Sequence, residues 1–161
     1  MQSANDPKAR HLVLAGGGHS HALVLRMLGM NPLPGVQLTL ISDVSAAPYS
    51  GMLPGHIAGF YSWDDIHIDL RRLCQFAGAA FVQGAVAGID PANKRVLVAN
   101  RPAVAYDVLS VNTGSKPQAS EVKGVMEFAI PSKPVPQLLA GWERIRDAAR
   151  SRSATRKRAC S

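Results

Sequence analysis

Apolar positions along the chain come in short runs separated by glycine- or proline-rich breaks. The first run, 11–15 (His-Leu-Val-Leu-Ala), stops at Gly16-Gly17-Gly18. It is too short for a helix and is bounded by turn formers, so it predicts a buried strand. Over 19–30, Ala22, Leu23, Leu25, Met27 and Leu28 spread over one broad apolar face, which predicts a helix. Asn31-Pro32-Leu33-Pro34-Gly35 ends it. Residues 36–41 predict a second strand. Strand, glycine turn, helix and strand make a βαβ unit, which implies a parallel pair with a right-handed crossover.

Periodicity then fades. Residues 42–63 are rich in Gly, Pro, Ser and Tyr and predict a long ordered loop with a short helical turn near 56–60. A helix is predicted after Asp69, which caps it, with Leu70, Leu73, Phe76 and Ala77 on one face and Gly78 as its stop. A third strand follows at 79–82. Three short strands at 86–89, 95–99 and 103–106, joined by tight turns at 90–94 and 100–102, predict an antiparallel meander. Residues 108–111 predict a further buried strand. A helix is expected over 134–149, with Leu138, Leu139, Trp142 and Ile145 on one face. Residues 150–161 lack periodicity and are expected to be disordered; no internal repeat is visible.

The chain has 161 residues, one ordinary domain's worth, and 47% of them are hydrophobic, which is a globular composition. The formal charge of +7 first suggests nucleic acid. Position changes that picture. Five of the 18 basic residues lie in 150–161, where there is no acid, so the rest holds 13 basic against 11 acidic residues. A nearly neutral body with a basic tail predicts at most salt-sensitive, non-specific association, and no aromatic interleaves the arginines. No apolar run nears the roughly 18 residues of a membrane span. The polar N-terminus lacks a signal-peptide apolar region. Two distant cysteines, Cys74 and Cys160, make no disulfide framework or zinc ribbon and fit a reducing cytoplasm.

Gly16-Gly17-Gly18-His19-Ser20-His21 follows a strand and opens a helix, the context a dinucleotide fingerprint requires. Gly16 would make the tight turn, Gly18 would admit a pyrophosphate, and the helix N-terminus would hold it. A glycine turn with no ligand is the plainer alternative. His21 stands where the third glycine normally allows close packing, so the helix must sit differently or the imidazole must point away. The acidic residue expected near the end of the second strand falls in Ser42-Asp43, one place late. His19-x-His21 lacks further ligands and would diverge around the helix, so no metal site is expected. Ser50 lacks the Gly-x-Ser-x-Gly elbow of a hydrolase nucleophile. Asn112-Thr113-Gly114-Ser115 ends a buried strand at the carboxyl edge where parallel sheets bind ligands.

In this order and spacing the motifs resemble the FAD-binding half of the pyridine nucleotide-disulfide oxidoreductase superfamily over residues 10–140. Tyr49-Ser50-Gly51-Met52-Leu53-Pro54-Gly55 and Ile68-Asp69-Leu70-Arg71-Arg72-Leu73 are similar to the NADH-dehydrogenase-like flavoproteins associated with selenide, water dikinase. The resemblance implies an α/β fold: a Rossmann-like FAD/NAD(P)-binding domain over 10–149, with a parallel sheet and a three-stranded antiparallel β-meander crossover. It would lie between a flexible 1–9 and the basic tail 150–161. It implies that Gly16, Gly17, Gly18 and His19 hold the FAD pyrophosphate and that Ser42 and Asp43 stand near the adenosine ribose. Tyr49, Ser50, Met52 and Pro54 would pass the flavin side, Val86 would present its backbone to the adenine, and Thr113 and Gly114 would pack against the pyrophosphate or flavin. Family members take hydride from NAD(P)H and pass electrons on, with the protein positioning the flavin.

Residues 43–66 contain no cysteine, which disfavours a disulfide reductase. No second Gly-x-Gly-x-x-Gly follows Pro117. The expectation is therefore the FAD-binding part of an NAD(P)H-dependent flavoprotein oxidoreductase in a short or truncated form, using NAD(P)H only if a second chain supplies that domain. A frameshift would explain the Arg/Ser/Ala-rich ending. The alternative is a non-catalytic nucleotide-binding module or degenerate remnant. The partners expected are FAD and either a second chain or selenide, water dikinase.

Overall fold

A computed structural model describes residues 9–115 and 121–159. Expectations for 1–8, 116–120 and 160–161 lie outside them. The chain divides into two compact units. The first gathers Tyr61–Gly114 with the residues up to Leu53; the second gathers Pro54–Phe60 with the residues from Ser115 on. The expected domain, 10–149, is thus shared between the two.

In the first unit, β1 (Arg10–Ala15) runs through the glycines into α1 (His19–Met30), and β2 (Val36–Ser42) returns parallel to β1, as the periodicity predicts. Two further strands, β5 (Ala80–Gln83) and β9 (Val108–Val111), complete a parallel sheet of order β5-β2-β1-β9. The strand order reverses direction between β1 and β9, which is where open α/β sheets form ligand crevices at their carboxyl ends.

Strand alternation divides the core between the two faces of the sheet. Leu14, Leu38 and Leu40 pack on one face with Ala22 and Leu25 of α1 and Leu70 and Cys74 of α3 (Leu70–Ala77). Val13, Ala15 and Ile41 pack on the other with Val96 and Val98 of the meander. That meander is β6 (Val86–Asp90), β7 (Arg95–Val98) and β8 (Val104–Ala105), an antiparallel sheet as expected. Lys94 and Asn100 carry positive φ at its two turns, and Asp90 accepts from the Asn93 backbone N–H at 3.1 Å.

The α3 caps form as predicted. The Asp69 carboxylate accepts from the N–H groups of Arg71 and Arg72 at 3.0 Å each, and Gly78 turns left-handed at φ 63. The faces need correction. On α1 the buried residues are His21, Ala22 and Leu25, whereas Leu23 and Met27 are exposed. On α3, Cys74 is buried and Phe76 is exposed, its ring lying over Gly29 of α1. Both helices turn toward the strands the residues that keep them close, and apolarity alone did not distinguish those.

The segment 42–63 also differs from expectation. Residues Ala46–Pro48 form β3, which pairs antiparallel with β4 (His67–Asp69). Each strand is only three residues long, too short to show alternation. A 3-10 turn at Ser50–Met52 leads into α2 (Leu53–Ile57), earlier than the turn expected at 56–60. Pro54 accounts for the shift, because its fixed φ suits a first helical turn.

In the second unit are α4 (Val125–Phe128) and α5 (Val135–Ala159). Val135 and Leu139 of α5 are buried, but Ile145 is exposed, contrary to the predicted face. Helix α5 also continues through 150–159, where disorder was expected. Alanine, arginine and lysine are strong helix formers, and no glycine or proline interrupts the sequence after Gly141. Among the described residues no helix is long and apolar enough to cross a membrane.

Candidate functional site

The candidate site stands at the carboxyl ends of β1, β2 and β9. Gly16 leaves β1 with φ +101, a conformation side-chain-bearing residues rarely adopt. Its N–H donates to the Ile41 carbonyl of β2 at 2.8 Å. A Cβ on Gly16 would strike the Asn112 carbonyl, and one on Gly18 would strike the Asn112 side-chain amide. A Cβ on Gly17 would fall 2.5 Å from the Ser42 Oγ and 2.6 Å from Leu70 Cδ1. All three glycines are therefore required by close approach from neighbouring elements.

Gly18 is the N-cap of α1 and supplies no side chain to the first-turn N–H groups. The first turn holds no acid. These N–H groups and the helix dipole together favour an anion. The glycine cradle fits the pyrophosphate of a dinucleotide such as FAD, which needs backbone approach without side chains.

His19 and Tyr49 stack beside this loop, with ring centroids 4.4 Å apart and planes 21° apart. The Tyr49 ring also covers Gly51, whose Cβ would fall 2.9 Å from Tyr49 Cζ. Backbone bonds seat this residue: its N–H donates to Ile66 O at 2.7 Å and its carbonyl accepts from Met52 N at 3.1 Å. Of the neighbouring candidates, Ser50 is exposed and Met52 is half-buried. Pro54 belongs to the second unit, where its carbonyl accepts from Ala58 N at 3.0 Å.

Ser42 is buried, and its hydroxyl donates to the Val44 carbonyl at 2.8 Å, closing the turn after β2. Asp43 beside it is exposed. Val86 opens β6 opposite Val98 and packs against the second core cluster. Thr113 and Gly114 are exposed after β9. Gly114 has φ +88, and the space beside it is open. The fold thus gathers Gly16, Gly17, Gly18, His19, Ser42 and Tyr49, while Val86 lies with the meander.

Two residues absent from the predicted set belong to the loop's framework. Asn112 walls the glycines from β9, and its N–H donates to the Ala15 carbonyl at 2.7 Å. His21 is buried, with Nδ1 2.7 Å from the Gly16 carbonyl and Nε2 2.9 Å from Ser110 Oγ. Burial pushes its pKa below the ordinary value of 6.5, against a smaller opposing effect from the Gly16 hydrogen bond. Asn112 was visible as the first residue of the Asn-Thr-Gly-Ser turn. His21 was visible only as a departure from the fingerprint.

No family model matches the chain. It is 32% identical over 111 residues to a sulfide-quinone reductase of Aquifex aeolicus, covering 67% of this chain and 25% of that protein. It is 28% identical over 117 residues to a probable ferredoxin reductase of Castellaniella defragrans, covering 71% of this chain and 28% of that one. The solved sulfide:quinone oxidoreductase from Aquifex aeolicus superposes with a TM-score of 0.61 at 27% identity, over 74% of this chain and 27% of that structure. The chain therefore spans about a quarter of the length of the curated relatives it matches. These homologues and structural neighbours are flavoproteins of the pyridine nucleotide-disulfide oxidoreductase superfamily, and the chain has their FAD/NAD(P)-binding, Rossmann-like fold. They lend no support to selenide, water dikinase as a partner.

Proposed function

We propose that this chain is the FAD-binding part of an NAD(P)H-dependent flavoprotein oxidoreductase. The observation that carries the reading is the glycine loop at the β1–β9 switch point, walled by Asn112 and opening onto a helix start with no side-chain cap. The oxidoreductase names of the relatives support the same direction.

In this reading the N–H groups at Gly17, Gly18 and the start of α1 bind the FAD pyrophosphate, with His19 beside it on the Tyr49 ring. Asp43, exposed at the end of β2, takes the ribose, and the backbone at Val86 the adenine. Ser50, Met52, Thr113 and Gly114 line the way toward the flavin, and Pro54 comes two residues after Met52. Bound FAD would supply the redox chemistry by accepting hydride from NAD(P)H and passing electrons on. The chain's own residues bind and orient it.

The test is calorimetric titration of the full chain with FAD and with ADP, together with its absorbance spectrum. One-to-one binding is expected, weakened at least tenfold by Gly18→Leu, which would drive a side chain into Asn112. Absence of binding to either nucleotide overturns the reading. Binding of ADP without FAD would reduce it to a nucleotide-binding module.

A further inference from the structure

His21 occupies the third glycine position of the fingerprint, yet its ring is turned inward and is only 2% exposed. A backbone carbonyl can only accept a hydrogen bond. The contact of 2.7 Å to the Gly16 carbonyl therefore puts a proton on Nδ1. In the neutral ring Nε2 is then an acceptor, and the Ser110 hydroxyl 2.9 Å away is its donor.

The result is a relay from β9 to the first glycine: Ser110 Oγ–H to Nε2, and Nδ1–H to the Gly16 carbonyl. Ser110 lies on β9 and Asn112 directly follows it, still bonded to β1 through its N–H, so one stretch of chain both braces His21 and walls Gly18. The Gly16–Gly17 peptide is trans, so its carbonyl and its N–H point in opposite directions. Holding the Gly16 carbonyl against the ring turns the Gly17 N–H away from it. Gly16, with its permissive backbone, would otherwise allow that plane to rotate.

We propose that His21 is a positioning residue: its neutral Nδ1–H ring, braced by Ser110, locks the Gly16–Gly17 peptide plane so that the Gly17 N–H is aimed at a bound phosphate. The phosphate half of this statement rests on the nucleotide-binding reading above; the lock itself does not.

The experiment uses the isotopically labelled full chain, and FAD and ADP as ligands. Nitrogen NMR should show Nδ1 of His21 protonated and Nε2 bare. His21→Leu removes both bonds and should speed exchange of the Gly17 amide and weaken FAD and ADP at least tenfold. His21→Asn places an amide N–H near the Nδ1 position and should recover most of both losses. Ser110→Ala should fall between. An Nε2–H ring, a Gly17 amide unchanged in His21→Leu, or no recovery in His21→Asn overturns the proposal. Should His21→Leu fail to fold, the tautomer and Ser110→Ala decide it, an unchanged Gly17 amide in Ser110→Ala counting against the lock. Should the wild-type chain bind neither nucleotide, the functional reading falls alone, and the tautomer and Gly17 exchange still judge the lock.

Discussion

Gly16 combines a positive φ with a carbonyl in the way of any Cβ. Gly16→Ala should therefore destabilise the fold by at least the 1–3 kcal/mol typical of a strained backbone, roughly, as read from urea denaturation. His21 gives a pH dependence of definite sign. Its folded-state pKa is depressed by burial below 6.5, so at lower pH the unfolded chain takes up a proton that the folded chain refuses. Stability is full above 6.5 and declines as pH falls from there toward the folded pKa, with a limiting slope of about 1.4 kcal/mol per pH unit. Urea midpoints across this window should show that decline in the wild type and a shallower one in His21→Asn. At this scale the three glycines were legible, because a strand before and a helix after them give a local pattern. The burial of His21 was not legible, because its partner Ser110 is 89 residues away.

Among the elements, α3 shows a helix whose two ends are written in its own sequence. Asp69 answers the orphan N–H groups at one end and Gly78 closes the other. Asp69→Ala should cost about 1 kcal/mol of stability, measured in the same way, and leave nucleotide binding unchanged. Caps, tight turns and the long strands were legible for this reason: each depends on neighbours a few residues off. The helix faces were less so. Leu23, Met27 and Phe76 are as apolar as the residues that are buried, and only packing geometry chose Ala22, Leu25 and Cys74 over them. The pair β3–β4 was invisible, since three residues per strand carry no period.

For the whole molecule, a glycine turn followed by a crossover helix already implied parallel pairing, and the closely spaced short strands implied a meander; both are present. The division into two units was not legible, because it depends on contacts that join Pro54–Phe60 to residues beyond Gly114. The pairing of β1 with β9 has a consequence in time. Asp107, just before β9, accepts from the His11 N–H across 96 residues, and Asn112 directly follows β9. Closing a loop of such separation carries a large entropic cost, so the β1–β9 pairing is expected to form after the local β1–α1–β2 contacts. FAD held against Asn112 should therefore slow unfolding while leaving the refolding rate nearly unchanged, a difference that stopped-flow chevrons with and without FAD would reveal. At a synthesis rate of about 5–20 residues per second, the glycine loop emerges from the ribosome roughly 5–20 s before the strand that walls it. Within that interval α1 and β2 follow β1 from the ribosome, before the residue that walls the loop has been made.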